Sequence, residues 1–287
     1  VEVVETEDRE PAAVGEVGDA QRGIEIMAEY TSGGDKVQMC YPFEMLQPAR
    51  LTARSLAATF ARLEAVSPDF WPCWAYSNHD VVRHVTRWNL SPEAARAYAT
   101  LLVCLRGSVC LYQGEELGLP EAEIAYEDLQ DPYGKEFWPE FKGRDGCRTP
   151  MVWVRDNATG RFTTGNPSLP VPAEHLARAA SVQDGDAGSV LGHYRRALAF
   201  RRANPVLGKG AQTDMAADGD VIRFRRRLDD REMFIAVNLS DAAAGIAAPD
   251  GNWETTGAGL GQAARSGSGR IQLGPWAVAL LARIVKV

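Results

Sequence analysis

A chain of 287 residues, 45% apolar and 24% charged, has an ordinary globular composition and is long enough for one large domain plus a small one. Its net charge of −7, with no basic cluster, excludes a polyanion partner such as nucleic acid. No apolar run approaches membrane-spanning length, and the acidic start, residues 1–8, has no signal-peptide pattern.

Residues 12–15 read as a short buried strand ending at Glu16, and a helical stretch follows over 21–30. Residues 37–41 alternate like a strand and give way to Pro42-Phe43-Glu44. Leu56, Phe60 and Leu63 mark one face of a helix over 52–65. The next strand, 72–76, ends at Asn78-His79-Asp80. Ser91-Pro92-Glu93 is a helix start, with serine as cap and proline at the first helical position. A fourth strand, 108–112, ends at Gln113-Gly114-Glu115-Glu116. After a long connection over 117–188, Leu191, Tyr194 and Leu198 share a helix face, and Asn204-Pro205 stops that helix.

Beyond residue 205 the pattern changes. Residues 221–225 and 233–237 read as strands around an Asp229-Asp230 turn, and a closing strand covers 276–284. We expect two domains, 1–205 and 206–287, the second a small antiparallel β-sandwich with a core of its own. Among the five cysteines, Cys40, Cys104 and Cys110 lie in apolar runs, Cys73 precedes Trp74, and Cys147 sits in a polar loop. None has zinc-site spacing, so the reading is buried free thiols in a reducing cytoplasm.

Four strand–helix units in a row predict an α/β fold with a parallel sheet. A doubly wound open sheet fits that order too. A barrel is favoured because all four strands end in acidic or amide groups, and barrel enzymes build active sites at the strand ends of one rim. Four units supply half of an eight-unit barrel, which leaves sheet edges uncovered.

Three runs carry a family resemblance: Asn78-His79-Asp80-Val81-Val82-Arg83, Gly107-Ser108-Val109-Cys110-Leu111-Tyr112-Gln113-Gly114-Glu115-Glu116, and Arg144-Asp145-Gly146-Cys147-Arg148-Thr149-Pro150. With Val14-Gly15-Glu16 as a fifth-strand motif, their order and spacing resemble the α-amylase superfamily, glycoside hydrolase family 13. The closest resemblance is to its α-glucosidases, oligo-1,6-glucosidases and α-glucoside transferases. It implies strands 5–8 of a TIM (β/α)8 barrel followed by the β domain. It further implies a retaining α-glucosidase that hydrolyses short α-glucosides or transfers their glucosyl group.

By the same resemblance Glu16 is the general acid/base, and Asp80 holds the sugar hydroxyls and stabilises the oxocarbenium-like transition state. His79 and Arg148 bind the glucose ring, and Phe43 is a weaker candidate for an aromatic wall. The motif carrying the nucleophile has no counterpart in the chain, so the partner implied is the N-terminal half of the same enzyme. No cofactor or metal is assigned to this chain; any structural calcium belongs to the other half. The alternative is a non-catalytic barrel relative serving as a binding or assembly subunit.

Each residue also has a plain structural reading. His79-Asp80 would be a hydrogen-bonded pair, and Arg148 a salt-bridge partner of Asp145 or Glu140. Glu115 and Glu116 would cap the rim, and Trp71, Trp74 and Trp88 would belong to the core.

Overall fold

In the computed structural model, which describes residues 12–19, 22–33, 35–66, 71–261, 263–266 and 269–285, the first four strands run parallel. β1 (Val14–Val17) pairs with β2 (Met39–Pro42), placing Glu16 opposite Tyr41. A single parallel bridge, Cys40 to Pro72, joins β2 to the start of β3 (Cys73–Trp74), which pairs with β4 (Ser108–Val109). β2, β3 and β4 are shorter than their apolar runs suggest, and β1, read as a buried strand, buries only Val17 because it lies at the edge of the described strand set. Glu16 lies inside β1 rather than beyond its end, because its main chain stays in register with Tyr41. The expected helix start at Gln21 and the acidic start of the chain lie outside the described residues.

Helices cover one side of these strands. α1 (Gly23–Thr31) buries Ile24, Met27 and Ala28, and α2 (Ala53–Val66) buries Leu56, Phe60 and Leu63 at helical spacing. α3 (Pro92–Cys104) begins as read: the Ser91 hydroxyl accepts the Ala94 N–H at 3.2 Å, and Pro92 opens the first turn. α4 (Val190–Ala203) is capped likewise by Ser189, whose oxygen accepts the Gly192 N–H at 3.0 Å. Trp74 and Trp88 are core residues; Trp74 packs on Phe60 with centroids 5.1 Å apart, and Trp88 meets Tyr76 edge-on at 5.3 Å. Trp71 is half-buried.

The segment after α4 is antiparallel. One sheet has the strand order β5-β6-β7-β12-β9, and a second has β10-β11-β8. The strands are β5 (Ala211–Asp218), β6 (Val221–Leu228), β7 (Arg231–Asn238), β8 (Ala244–Ala247), β9 (Glu254–Thr255), β10 (Ala263–Ser266), β11 (Arg270–Leu273) and β12 (Val278–Ile284). Strand alternation sends Phe234, Ala236, Ala279 and Leu281 toward Ile246, Ile271 and Leu273 of the smaller sheet. The opposite face, with Phe224, Met233, Ile235, Val237 and Leu280, belongs to the same apolar cluster as Leu101, Leu105 and Phe60. The β segment therefore has a core of its own on one side only.

All five cysteines are free. Cys40, Cys73, Cys104 and Cys147 are buried, whereas Cys110 is exposed, contrary to what its apolar run suggests. The reason is its position just past β4, on the edge of the strand set, with its N–H donating to the Trp74 carbonyl.

Candidate active site

Asn78 ties the two acidic motifs together. Its side-chain amide donates to Glu16 Oε1 at 3.2 Å, and its carbonyl oxygen accepts the Asp80 N–H at 2.9 Å. Glu16 sits exposed on β1, and Tyr41, its neighbour across the register, hydrogen-bonds to both Glu16 and Asn78. Burial first, and the Glu16 contact second, push the Tyr41 phenol pKa upward, so Tyr41 is a neutral donor throughout the physiological range.

The surroundings of Asp80 differ sharply. Its Oδ1 accepts from Arg144 Nη1 at 2.9 Å and from Arg148 Nη2 at 3.0 Å. His79 Nε2 stands 3.5 Å from Oδ2, and the His79 carbonyl accepts Arg148 Nε at 2.8 Å. Arg144 is itself gripped by Asp131, whose two oxygens take its Nε and Nη2 at 2.8 and 3.0 Å. Those bonds pull the Asp131 carboxyl down to about 2. One carboxylate thus lies between two guanidinium groups, and the other is held by neutral amide and phenol donors.

The loop carrying the arginines is held from below. Buried Arg83 donates from Nη1 to the Gln113 carbonyl at 2.7 Å and from Nη2 to the Cys147 carbonyl at 2.8 Å. The Tyr112 hydroxyl donates to that same carbonyl at 3.1 Å. Asp145 turns the chain by accepting the Gln130 and Asp131 N–H groups at 2.6 and 2.8 Å. Arg148 therefore pairs with Asp80 rather than with Asp145 or Glu140.

The geometry brings Glu16, His79, Asp80 and Arg148 to the same end of the parallel strands. Phe43 stands on the turn after β2, half-buried, with its ring 3.5 Å from where a Cβ on Gly18 would sit. Glu115 is not among them. It is buried under α4, accepts the Tyr194 hydroxyl at 2.8 Å, and burial lifts its carboxyl to about 8. Arg144, Asp131 and Tyr41 escaped the sequence reading. The available signal for Arg144 was its place as the first arginine of the Arg144–Arg148 run; Asp131 and Tyr41 have no local signature. Among the described residues, no group of three His, Cys, Asp or Glu side chains is placed to hold a metal ion. No helix among them is long and apolar enough to cross a membrane.

Comparison with known proteins identifies the family. A probable alpha-glucosidase of Rhizobium meliloti is 56% identical over 237 residues, covering 81% of this chain and 43% of its own length. An oligo-1,6-glucosidase of Heyndrickxia coagulans is 29% identical over 209 residues, 64% of this chain and 37% of that protein. The crystal structure of an alpha-glucosyl transfer enzyme, XgtA, superposes with a TM-score of 0.87 at 46% identity, covering 94% of this chain and 50% of that one. A trehalulose synthase at 23% identity and TM-score 0.76 shares the fold. The chain spans about half the length of the relatives it matches. Residues 210–280 match a domain of unknown function, DUF3459. Residues 1–210, most of the chain, match the catalytic domain of alpha-amylase, and the protein belongs to the α-amylase superfamily, glycoside hydrolase family 13.

Proposed function

We propose that this chain is the C-terminal half of a retaining α-glucosidase, which hydrolyses short α-glucosides or transfers their glucosyl group. On this reading residues 1–205 are strands 5–8 of the barrel with their helices, and 206–287 are the accessory β domain. Glu16 is the acid/base: it protonates the glycosidic oxygen and later takes a proton from the attacking water or acceptor. Asp80, fixed by Arg144 and Arg148, holds the sugar hydroxyls and stabilises the cationic transition state. His79, Arg148 and Phe43 line the glucose ring. The nucleophile comes from the N-terminal half, the partner this chain requires. Five free thiols fit a cytoplasmic setting.

The observation that carries the proposal is the Asn78 bridge, which joins Glu16 and Asp80 from distant motifs on the same rim. The names of the relatives, alpha-glucosidase and alpha-glucosyl transfer enzyme, support the substrate class. The test is co-expression with an N-terminal half carrying the nucleophile, assayed on p-nitrophenyl α-glucoside. Activity should require both halves and Glu16. A folded, assembled protein without turnover on any α-glucoside would leave the non-catalytic relative as the better reading.

A further inference from the structure

Two of the five free thiols touch each other. The register of β3 and β4 sets Cys73 opposite Ser108, and the Cys110 N–H donates to the Trp74 carbonyl at 2.9 Å. Side chains alternate along a strand, so Cys73 and Cys110 take one face of the sheet, and Trp74 and Val109 the other. The packing agrees: Cys40, Trp74 and Val109 join the apolar cluster shared with the helices, whereas Cys73 and Cys110 do not. The Cys40–Pro72 bridge carries the same alternation across to β2, which puts Tyr41 on the face of Cys73. Glu16 is the partner of Tyr41 across the next register. One face of the strand set therefore carries, in order, Glu16, Tyr41, Cys73 and Cys110.

The two sulfurs have unequal surroundings. Cys73 is buried and Cys110 is exposed, and their side chains are hydrogen-bonded to each other. That bond outweighs burial at Cys110 and pulls its thiol below the ordinary range. The same bond, with burial added, pushes the Cys73 thiol upward. One proton thus stays on the inner sulfur and the outer sulfur is left as the nucleophile, which is the division between a resolving and an attacking thiol. The other three cysteines are buried, and desolvation raises each of their thiols.

We propose that Cys73 and Cys110 form a redox-active dithiol, a modification site for low-molecular-weight disulfides on the sheet face that carries Glu16. The Cys110 thiolate attacks one sulfur of a disulfide R–S–S–R, forming a Cys110–S–S–R mixed disulfide. The expelled RS⁻ takes the Cys73 proton. The Cys73 thiolate then attacks the Cys110 sulfur and closes a Cys73–Cys110 disulfide, while the second RS⁻ leaves and is protonated by water. The dithiol loses two electrons and the small disulfide gains them, so no further oxidant is needed. Until Cys73 resolves the adduct, the R group stands on the same sheet face as Glu16 and Tyr41.

The experiment treats the complete enzyme with oxidised glutathione and maps its peptides by mass spectrometry. The wild type should end with the Cys73 and Cys110 peptides cross-linked and no glutathione retained. Cys73→Ala should hold one glutathione on Cys110, and Cys110→Ser should leave Cys73 unmodified. The pH profile of Cys110 alkylation by iodoacetamide reads the hydrogen bond separately. In Cys73→Ala its midpoint should rise to that of an ordinary thiol, about 8.5, with alkylation at pH 7 slowed about tenfold. A packing role alone for Cys73 would lower the melting temperature and leave that midpoint where it was. An unmodified wild type, glutathione retained on wild-type Cys110, or a midpoint indifferent to Cys73 overturns the proposal. So does reaction at Cys40, Cys104 or Cys147 ahead of Cys110. These readouts are masses and alkylation rates, so absence of α-glucoside turnover counts against the α-glucosidase reading alone.

Discussion

Glu16 and Asp80 are both carboxylates, and the proposed function gives them different roles that their different neighbours support. In the complete enzyme, Glu16→Gln keeps the Asn78 contact but removes the proton donor. Turnover on glucosides with poor leaving groups should fall by about 10²–10⁴-fold, and much less on activated aryl glucosides in the glucosylation step. Asp80→Asn should depress both substrate types alike, on the order of a hundredfold or more. Rates with a graded series of aryl glucosides check this; equal leaving-group dependence in both variants would refute the division. Glu115 gives a pH signature instead. Its folded pKa of about 8 lies above the 4.5 of an unfolded glutamate, so the folded chain retains a proton the unfolded chain releases. Stability from this group is complete below about pH 4.5 and is lost as pH rises toward 8. Glu115→Gln should therefore lose less melting temperature between pH 5 and 8 than the wild type, as calorimetry would show.

Helix α3 begins on local signals and ends on distant ones. Ser91 and Pro92 start it, but no C-terminal glycine closes it. Instead Arg226 of β6, fully buried, donates to the Cys104 carbonyl at 2.7 Å and the Gly210 carbonyl at 2.8 Å. Arg201 of α4 donates to the Leu105 carbonyl at 3.0 Å and to those of Val103 and Gly107. Desolvation lowers the Arg226 pKa to about 9, a cost offset by carbonyls at the negative end of a helix. Arg226→Met strips buried carbonyls of their donor and should cost about 2–4 kcal/mol in urea unfolding, with no change in substrate KM. Gly107 is a second distant constraint. It has φ of +122°, and a Cβ there would come within 2.4 Å of the Pro72 carbonyl oxygen. Gly107→Ala should cost about 1–3 kcal/mol, read as a lowered melting temperature, because β3 and β4 could no longer pair as closely.

Among the described residues, β1 pairs only with β2 and β4 only with β3, so the parallel strand set has two uncovered edges. Expressed alone, residues 1–287 should aggregate or melt without cooperativity, and co-expression with the N-terminal half should restore a sharp transition. Size-exclusion chromatography and calorimetry decide it; a soluble monomer melting cooperatively would refute it. The β segment should not survive excision either. Its own core occupies one face of the five-stranded sheet, while Phe224, Ile235, Val237 and Leu280 on the other pack against the helices. A fragment starting at residue 206 would expose that second face and should be insoluble unless those positions are made polar.

Local chemistry made much of this readable in the chain itself. Leu56, Phe60 and Leu63 at helical spacing, the Ser91-Pro92 start, the Asn204-Pro205 stop and the alternation from Val221 onward each record a short-range physical preference. The polar groups placed after apolar runs marked Glu16, His79 and Asp80, and the family resemblance added Arg148. What the chain could not disclose depends on groups far apart in sequence. Strand lengths are set by which main-chain groups find partners, so Glu16 lies within β1 and Cys110 at an open edge. The partner of Arg148, the Asp131 grip on Arg144, and the arginines closing α3 have no local signature, because an ion pair is determined by distance in space. A periodic pattern can tell a residue which face to turn, but only the folded arrangement decides what meets it there.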